Sequence, residues 1–154
     1  MHPSIHPSIH LSIYPVFAMT SQQYKDYKFL FAARDGNIAA IKSALKKGAN
    51  INAKTDTAGP ALFYAAINGN KAGLQFLLNV PGVEVDMKEP SMGFTAVHSA
   101  ATRGHVDCLR LLIDAGADVN SESQLHNGTP LRAMWNNGMH EAVAGCWGGG
   151  EPTQ

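Results

Sequence analysis

The side chains best suited to chemistry in this chain are its seven histidines and two cysteines. His98, His105 and Cys108 lie within eleven residues of one another, with Cys108 about one helical turn after His105, and His140 follows further on. A zinc ion would accept such donors, because imidazole nitrogen and thiolate sulfur are its usual ligands. Their spacing is irregular for that purpose, and no residue can be named that would orient the ligands from behind. His98 and His105 therefore carry two readings, metal ligands or structural hydrogen-bonding groups, and the second is preferred. His140-Glu141 lacks the second histidine of a zinc-protease helix, and neither a phosphate-cradling glycine loop nor a Gly-x-Ser-x-Gly elbow occurs. Cys108 and Cys146 follow no disulfide or zinc spacing, which fits a reducing compartment, cytoplasmic or nuclear. The expectation is a chain with no catalytic residue, no metal and no cofactor.

Whatever these residues do, the elements around them must fit in 154 residues, of which 45% are hydrophobic, enough for one domain with its own core. Twelve basic groups against twelve acidic ones give a formal charge of zero, so nothing global calls for nucleic acid or an anionic membrane surface. The charges are nonetheless sorted. Residues 28–55 hold Lys28, Arg34, Lys42, Lys46, Lys47 and Lys54 against Asp35 alone, whereas nine acidic groups face four basic ones from Glu84 onward. No apolar run approaches the roughly 18 residues of a membrane span. The stretch Leu11 to Ala18 is short, broken by Pro15 and not preceded by Lys or Arg, which is unlike a signal peptide.

The two ends differ from the middle. The opening HPSIHPSIHLSIYP repeats every four residues, too short a period for a supersecondary unit, and disorder is expected over 1–23. The same period is what a CATC tetranucleotide tract gives in translation, which makes Met19 the expected working start. His2, His6 and His10 share this tract and lack any second shell for a metal. At the other end, Gly148, Gly149 and Gly150 followed by Glu-Pro-Thr-Gln cannot continue a helix, so 147–154 reads as a tail.

Between the ends four similar segments recur, AARDGN, AAINGN, AATRGH and MWNNGM, and their glycines Gly36, Gly69, Gly104 and Gly138 stand 33, 35 and 34 residues apart. A period of that length marks stacked repeats. The third unit, Gly93 to Asn120, is the clearest. Thr95 can set its hydroxyl on the orphan amides of a helix starting at Ala96, with Val97, Ala100 and Ala101 on its packed face and Gly104 ending it. A second helix from about Val106 to Asp114 places Val106, Leu109, Leu112 and Ile113 on one stripe, and Gly116 closes it. Neither face can be buried by one unit alone, so the units must stack.

This unit, GFTAVHSAATRGHVDCLRLLIDAGADVN, closely resembles the ankyrin repeat, whose pattern runs G-x-T-P-L-H-x-A-A-x-x-G-H, a Leu-Leu helix, then G-A-D-V-N. The first unit has Lys28 to Phe31 in place of Thr-Pro-Leu-His, as in N-terminal capping repeats. The second carries Pro60-Ala61-Leu62-Phe63 and one extra residue near Pro81. The fourth opens on Thr129-Pro130-Leu131 and then loses its Leu-Leu helix. The resemblance implies an all-α solenoid of stacked helix-turn-helix units with short hairpin-like turns over 24–146, three good repeats (about 24–55, 56–90 and 91–124) and a degraded fourth (125–146). It also gives His98 and His105 a structural role, bonding backbone within and between repeats.

The function implied by the resemblance is protein binding, as an adaptor or inhibitor, through turn tips and the open side of the first helices. On this chain those places are Thr57, Ala58, Ile67 and Asn68; Ser91, Met92, Phe94, Thr102 and Arg103; and Leu125, His126, Asn136 and Asn137. Met92, Phe94, Arg103 and Leu125 are the expected anchors, because apolar and arginine side chains dominate binding energy at an interface centre. The expected partner is another protein, with neither nucleic acid nor membrane, and the chain is expected to be a monomer that can associate through an uncapped C-terminal repeat. The alternative is the ankyrin part of a larger enzyme or channel. Leu112 to Asn120 also resembles the segment in which ankyrin asparagines are hydroxylated by an iron-dependent oxygenase, which would make Asn120 the modified residue; otherwise Asn120 serves only its turn.

Overall fold

The computed structural model describes residues 18–124 and 128–143. His2, His6, His10, Leu125, His126, Cys146 and the side chain of His140 lie outside the described residues, as do most of the opening tract and the glycine-rich tail. Among the described residues there are eight helices and no strand: α1 (Ser21–Arg34), α2 (Ile38–Lys46), α3 (Ala61–Ile67), α4 (Lys71–Leu78), α5 (Ala96–Arg103), α6 (Val106–Asp114), α7 (Pro130–Asn136) and α8 (His140–Val143). The first six pair in sequence, α1 with α2, α3 with α4 and α5 with α6. The odd-numbered helices then pack in a row, α1 on α3, α3 on α5 and α5 on α7, while α4 packs on α6 and α6 on α8.

Local chemistry sets these limits. Thr20 and Gln23 form a reciprocal capping box at the start of α1, and Asn37, Asn70 and Thr129 accept from Ala40 N, Gly73 N and Arg132 N at the starts of α2, α4 and α7. The third unit follows its sequence pattern closely, with α5 starting at Ala96 and Gly104 at φ +76° ending it. One detail differs. His98 takes the place that Glu or Gln holds in a capping box: its Nδ1 accepts the Thr95 N–H at 3.1 Å and stands 2.9 Å from Thr95 Oγ1. The Thr95 hydroxyl serves the backbone amide of His98, as the sequence pattern predicts, and meets the His98 ring as well.

The core is a stack of alternating thin and thick layers. Ala33, Ala65, Ala66, Ala100 and Ala101 are buried along the odd-numbered helices, where the absence of long side chains lets neighbouring helix backbones approach closely. Ile41, Leu74, Leu77, Leu109 and Leu112 are fully buried on the even-numbered helices and fill the wider gaps. Met134, at an alanine place in the fourth unit, is also fully buried, whereas Trp135 beside it is partly exposed.

Hydrogen bonds to backbone tie each unit to the one before. Asn68 Nδ2 donates to Arg34 O at 2.8 Å, His105 Nε2 to Ile67 O at 3.2 Å, and Asn137 Nδ2 to Ala101 O at 2.9 Å. These carbonyls sit at the ends of α1, α3 and α5, where helical carbonyls lack intrahelical partners. Gly69 is held by the same arrangement. Its φ of +66° suits only glycine, and a Cβ there would lie 2.7 Å from His105 Nδ1.

Candidate functional site

Six of the residues named from the sequence, Ile67, Ser91, Met92, Phe94, Thr102 and Arg103, surround one hollow, and Phe63, Glu89 and Ser99 complete its wall. Its volume is about 250 Å³, below the roughly 300–1,000 Å³ of small-molecule clefts. The hollow spans two units: α3 supplies Phe63 and Ile67, α5 supplies Ser99, Thr102 and Arg103, and the turn before α5 supplies the rest. Met92 is 45% exposed at its edge.

Glu89 builds this turn. It is only 7% exposed, and each of its oxygens takes two donors. Oε2 accepts Ser91 N–H at 2.8 Å and Ser91 O–H at 2.6 Å, while Oε1 accepts the Met92 and Phe94 amides. Its own N–H donates to Phe94 O at 2.8 Å, which closes the loop. Burial by itself would raise the pKa of this carboxyl, but the Ser91 hydroxyl and the amides of Ser91, Met92 and Phe94 outweigh it and hold the pKa below the ordinary value. Gly59 in the preceding turn sits so close that an added Cβ would fall 2.7 Å from Glu89 Cβ.

From the sequence alone Glu89 is one acidic group among the nine that follow from Glu84 onward. Its local signal is faint: an acidic residue followed at two positions by serine and at four by glycine. The cause lies in α3, a helix before this turn. In the third unit His98 reaches forward and donates from Nε2 to Gly128 O at 3.0 Å, pinning the following turn. The aligned residue of the second unit is Phe63, which has no donor, and the next turn is organised by its own Glu89 instead.

His98 is buried, and its pKa is lowered, first by burial and then by Lys88; its bonds to the Gly128 and Ser121 carbonyls and the charge of Asp118 push the other way. Its neutral ring accepts at Nδ1 and donates at Nε2, with Phe94 stacked on it at 5.3 Å between ring centres. Cys108 is buried, and burial, aided by Asp107, raises the pKa of its thiol, the opposite of what a nucleophile needs. Among the described residues no three of His, Cys, Asp and Glu gather as a metal site would require.

Residues 29–123 match the family model for ankyrin repeats, in three copies. The chain belongs to the ankyrin-repeat family. Ankyrin repeat and SOCS box protein 3 from Homo sapiens is 35% identical over 101 residues, covering 65% of this chain and 19% of that protein. Ankyrin repeat domain-containing protein 29 from Danio rerio is 47% identical over 64 residues, covering 42% of this chain and 21% of the relative. Delta-latroinsectotoxin-Lt1a from Latrodectus tredecimguttatus is 39% identical over 84 residues, 54% of this chain and 7% of the toxin. The ankyrin-repeat chain thus spans about a fifth or less of the length of these three relatives. Ankyrin repeats are in general protein-binding modules, and no helix among the described residues is long and apolar enough to cross a membrane.

The remaining sequence-named positions of this ankyrin-repeat chain divide by what already occupies them. The side-chain amides of Asn68 and Asn137 are used within the stack, on Arg34 O and Ala101 O. Thr57 and Ala58 have their amides on Thr55 Oγ1 and do not line the hollow. Asn136 is exposed on α7. Arg103 occupies the place just before the helix-ending glycine, where the second and fourth repeats have Asn68 and Asn137. In the third repeat His105 serves the equivalent carbonyl, and among the described residues the Arg103 guanidinium has neither ion pair nor hydrogen bond.

Proposed function

We propose that this chain is a non-catalytic module that holds a partner protein on the open side of α3 and α5, centred on the hollow between them. The observation that carries the reading is the meeting of Phe63, Ile67, Met92, Phe94 and Arg103 from two repeats around one recess, with Met92 and Arg103 exposed at its rim. Apolar and arginine anchors at the centre of a patch are what interface energetics favour. Phe94→Ala is expected to weaken capture of the partner about tenfold, an effect of ordinary hot-spot size. Thr57→Ala, which does not line the hollow, should leave capture unchanged, and circular dichroism should show both variants folded. Equal capture by wild type and Phe94→Ala would place the binding surface elsewhere.

A second reading concerns Asn120 as a substrate for hydroxylation. The aligned residue of the first repeat, Asn52, donates to Gly82 O and accepts Glu84 N–H, and in the second repeat Asp86 accepts Asp118 N–H. The Asn120 side chain is exposed and makes no such bond among the described residues. This leaves Asn120 accessible where Asn52 is engaged. Incubation with an asparaginyl oxygenase, iron(II) and 2-oxoglutarate should add 16 Da to the peptide containing Asn120 and none to that containing Asn52. Mass spectra without the addition would rule the modification out.

A further inference from the structure

Resting on the binding surface above, we infer that the hollow selects an extended acidic peptide segment, one that seats a large apolar side chain between Phe63, Ile67 and Phe94 and sets a neighbouring carboxylate on Arg103. The selection follows from what the wall leaves unsatisfied. Both Glu89 oxygens are filled by four donors, the Ser91 hydroxyl is committed to Glu89, and the Ser99 hydroxyl donates to Thr95 O. What remains for a ligand is apolar surface, the exposed Thr102 and the five N–H donors of Arg103. A ligand group that only donates finds the side-chain acceptors of the wall already taken, apart from the Thr102 hydroxyl. A carboxylate matches the planar fork of the guanidinium and can bond to it at two points. Glu89 lies on the same wall, but no ion pair joins it to Arg103, so the arginine remains open to a carboxylate from outside. The volume of about 250 Å³ has room for one large side chain, which sets the ligand as a peptide side chain and not a cofactor.

The test uses the full chain and four acetylated, amidated hexapeptides: Gly-Ser-Leu-Asp-Ser-Gly, the same with Asn or Lys for Asp, and the same with Ser for Leu. Binding is read by NMR from the Met92 methyl and the Arg103 Nε–H. The Leu-Asp peptide is expected to shift both signals saturably, the Lys version to bind at least fivefold more weakly, and the Leu-to-Ser version to lose binding. In Arg103→Gln the preference for Asp over Asn should vanish while dependence on Leu persists, a combination that general unfolding does not give. Equal binding of the Asp, Asn and Lys peptides, with Met92 still shifting, would overturn the carboxylate selection and leave the binding surface intact. Shifts confined to other residues, or none with any peptide, would overturn the hollow as the seat and count against the surface itself.

Discussion

Glu89→Ala is expected to destabilise the chain by about 3 kcal/mol, read as a lower midpoint in urea or thermal unfolding with an unchanged slope, and to disorder one wall of the hollow. The substitution strips partners from the Ser91, Met92 and Phe94 amides and from the Ser91 hydroxyl in one step. A buried donor left alone costs its full desolvation, more than the bond was worth net. Glu89→Gln should recover little. Each carboxylate oxygen serves two donors, so whichever side receives the amide NH2 sets a donor against donors. The sign with pH follows from the lowered pKa. The carboxylate's contribution is fully present above the unfolded value of about 4.5 and is lost as pH falls through the lower folded value. Either variant should flatten that acid limb, and an acid limb as steep as that of wild type would show that Glu89 is not what the turn relies on.

His98→Ala should cost about 2 kcal/mol and loosen α7 before the rest of the stack. The ring joins the start of α5 to the turn that precedes α7, through Thr95 N and Gly128 O. Without it one amide and one carbonyl lose their partners, and Phe94 loses the face on which it stacks. Hydrogen exchange should therefore rise first at Thr95 and along Leu131 to Asn136. Because the folded pKa of His98 lies below the ordinary 6.5, its contribution is whole above that value and fades as pH falls through the folded pKa. Wild type should lose stability on acidification from neutrality, and His98→Ala should show a flatter profile across that window. A slope unchanged by the substitution would assign the effect to another group.

Much of this was legible in the residues themselves. The glycines at Gly36, Gly69, Gly104 and Gly138 gave the period because a helix that must end in a left-handed residue leaves little choice but glycine. The limits of α5 and α6 followed from Thr95, Gly104 and the stripe through Leu109 and Leu112, since capping and periodicity act within a few neighbouring residues. Met92, Phe94 and Arg103 were picked from their places in the repeat, and the structure sets them around one recess.

Other features had no local signature. Asn68 and Arg103 hold aligned places and look equally available in the sequence, yet Asn68 reaches Arg34 O, 34 positions earlier, while His105 takes the corresponding carbonyl in the next repeat and leaves Arg103 outside the stack. The role of Glu89 depends on a Phe63 that cannot donate and a Gly59 whose place has no room for a side chain, 26 and 30 positions earlier in the chain. Sequence by itself determined the repeat, its helices and the helix faces that must be buried, because these depend on contacts between near neighbours along the chain. Only the tertiary structure decided which polar side chains the stack consumes and which remain for a partner, because the bonds of Asn68, His105 and Asn137 cross between repeats and exist only once they are packed.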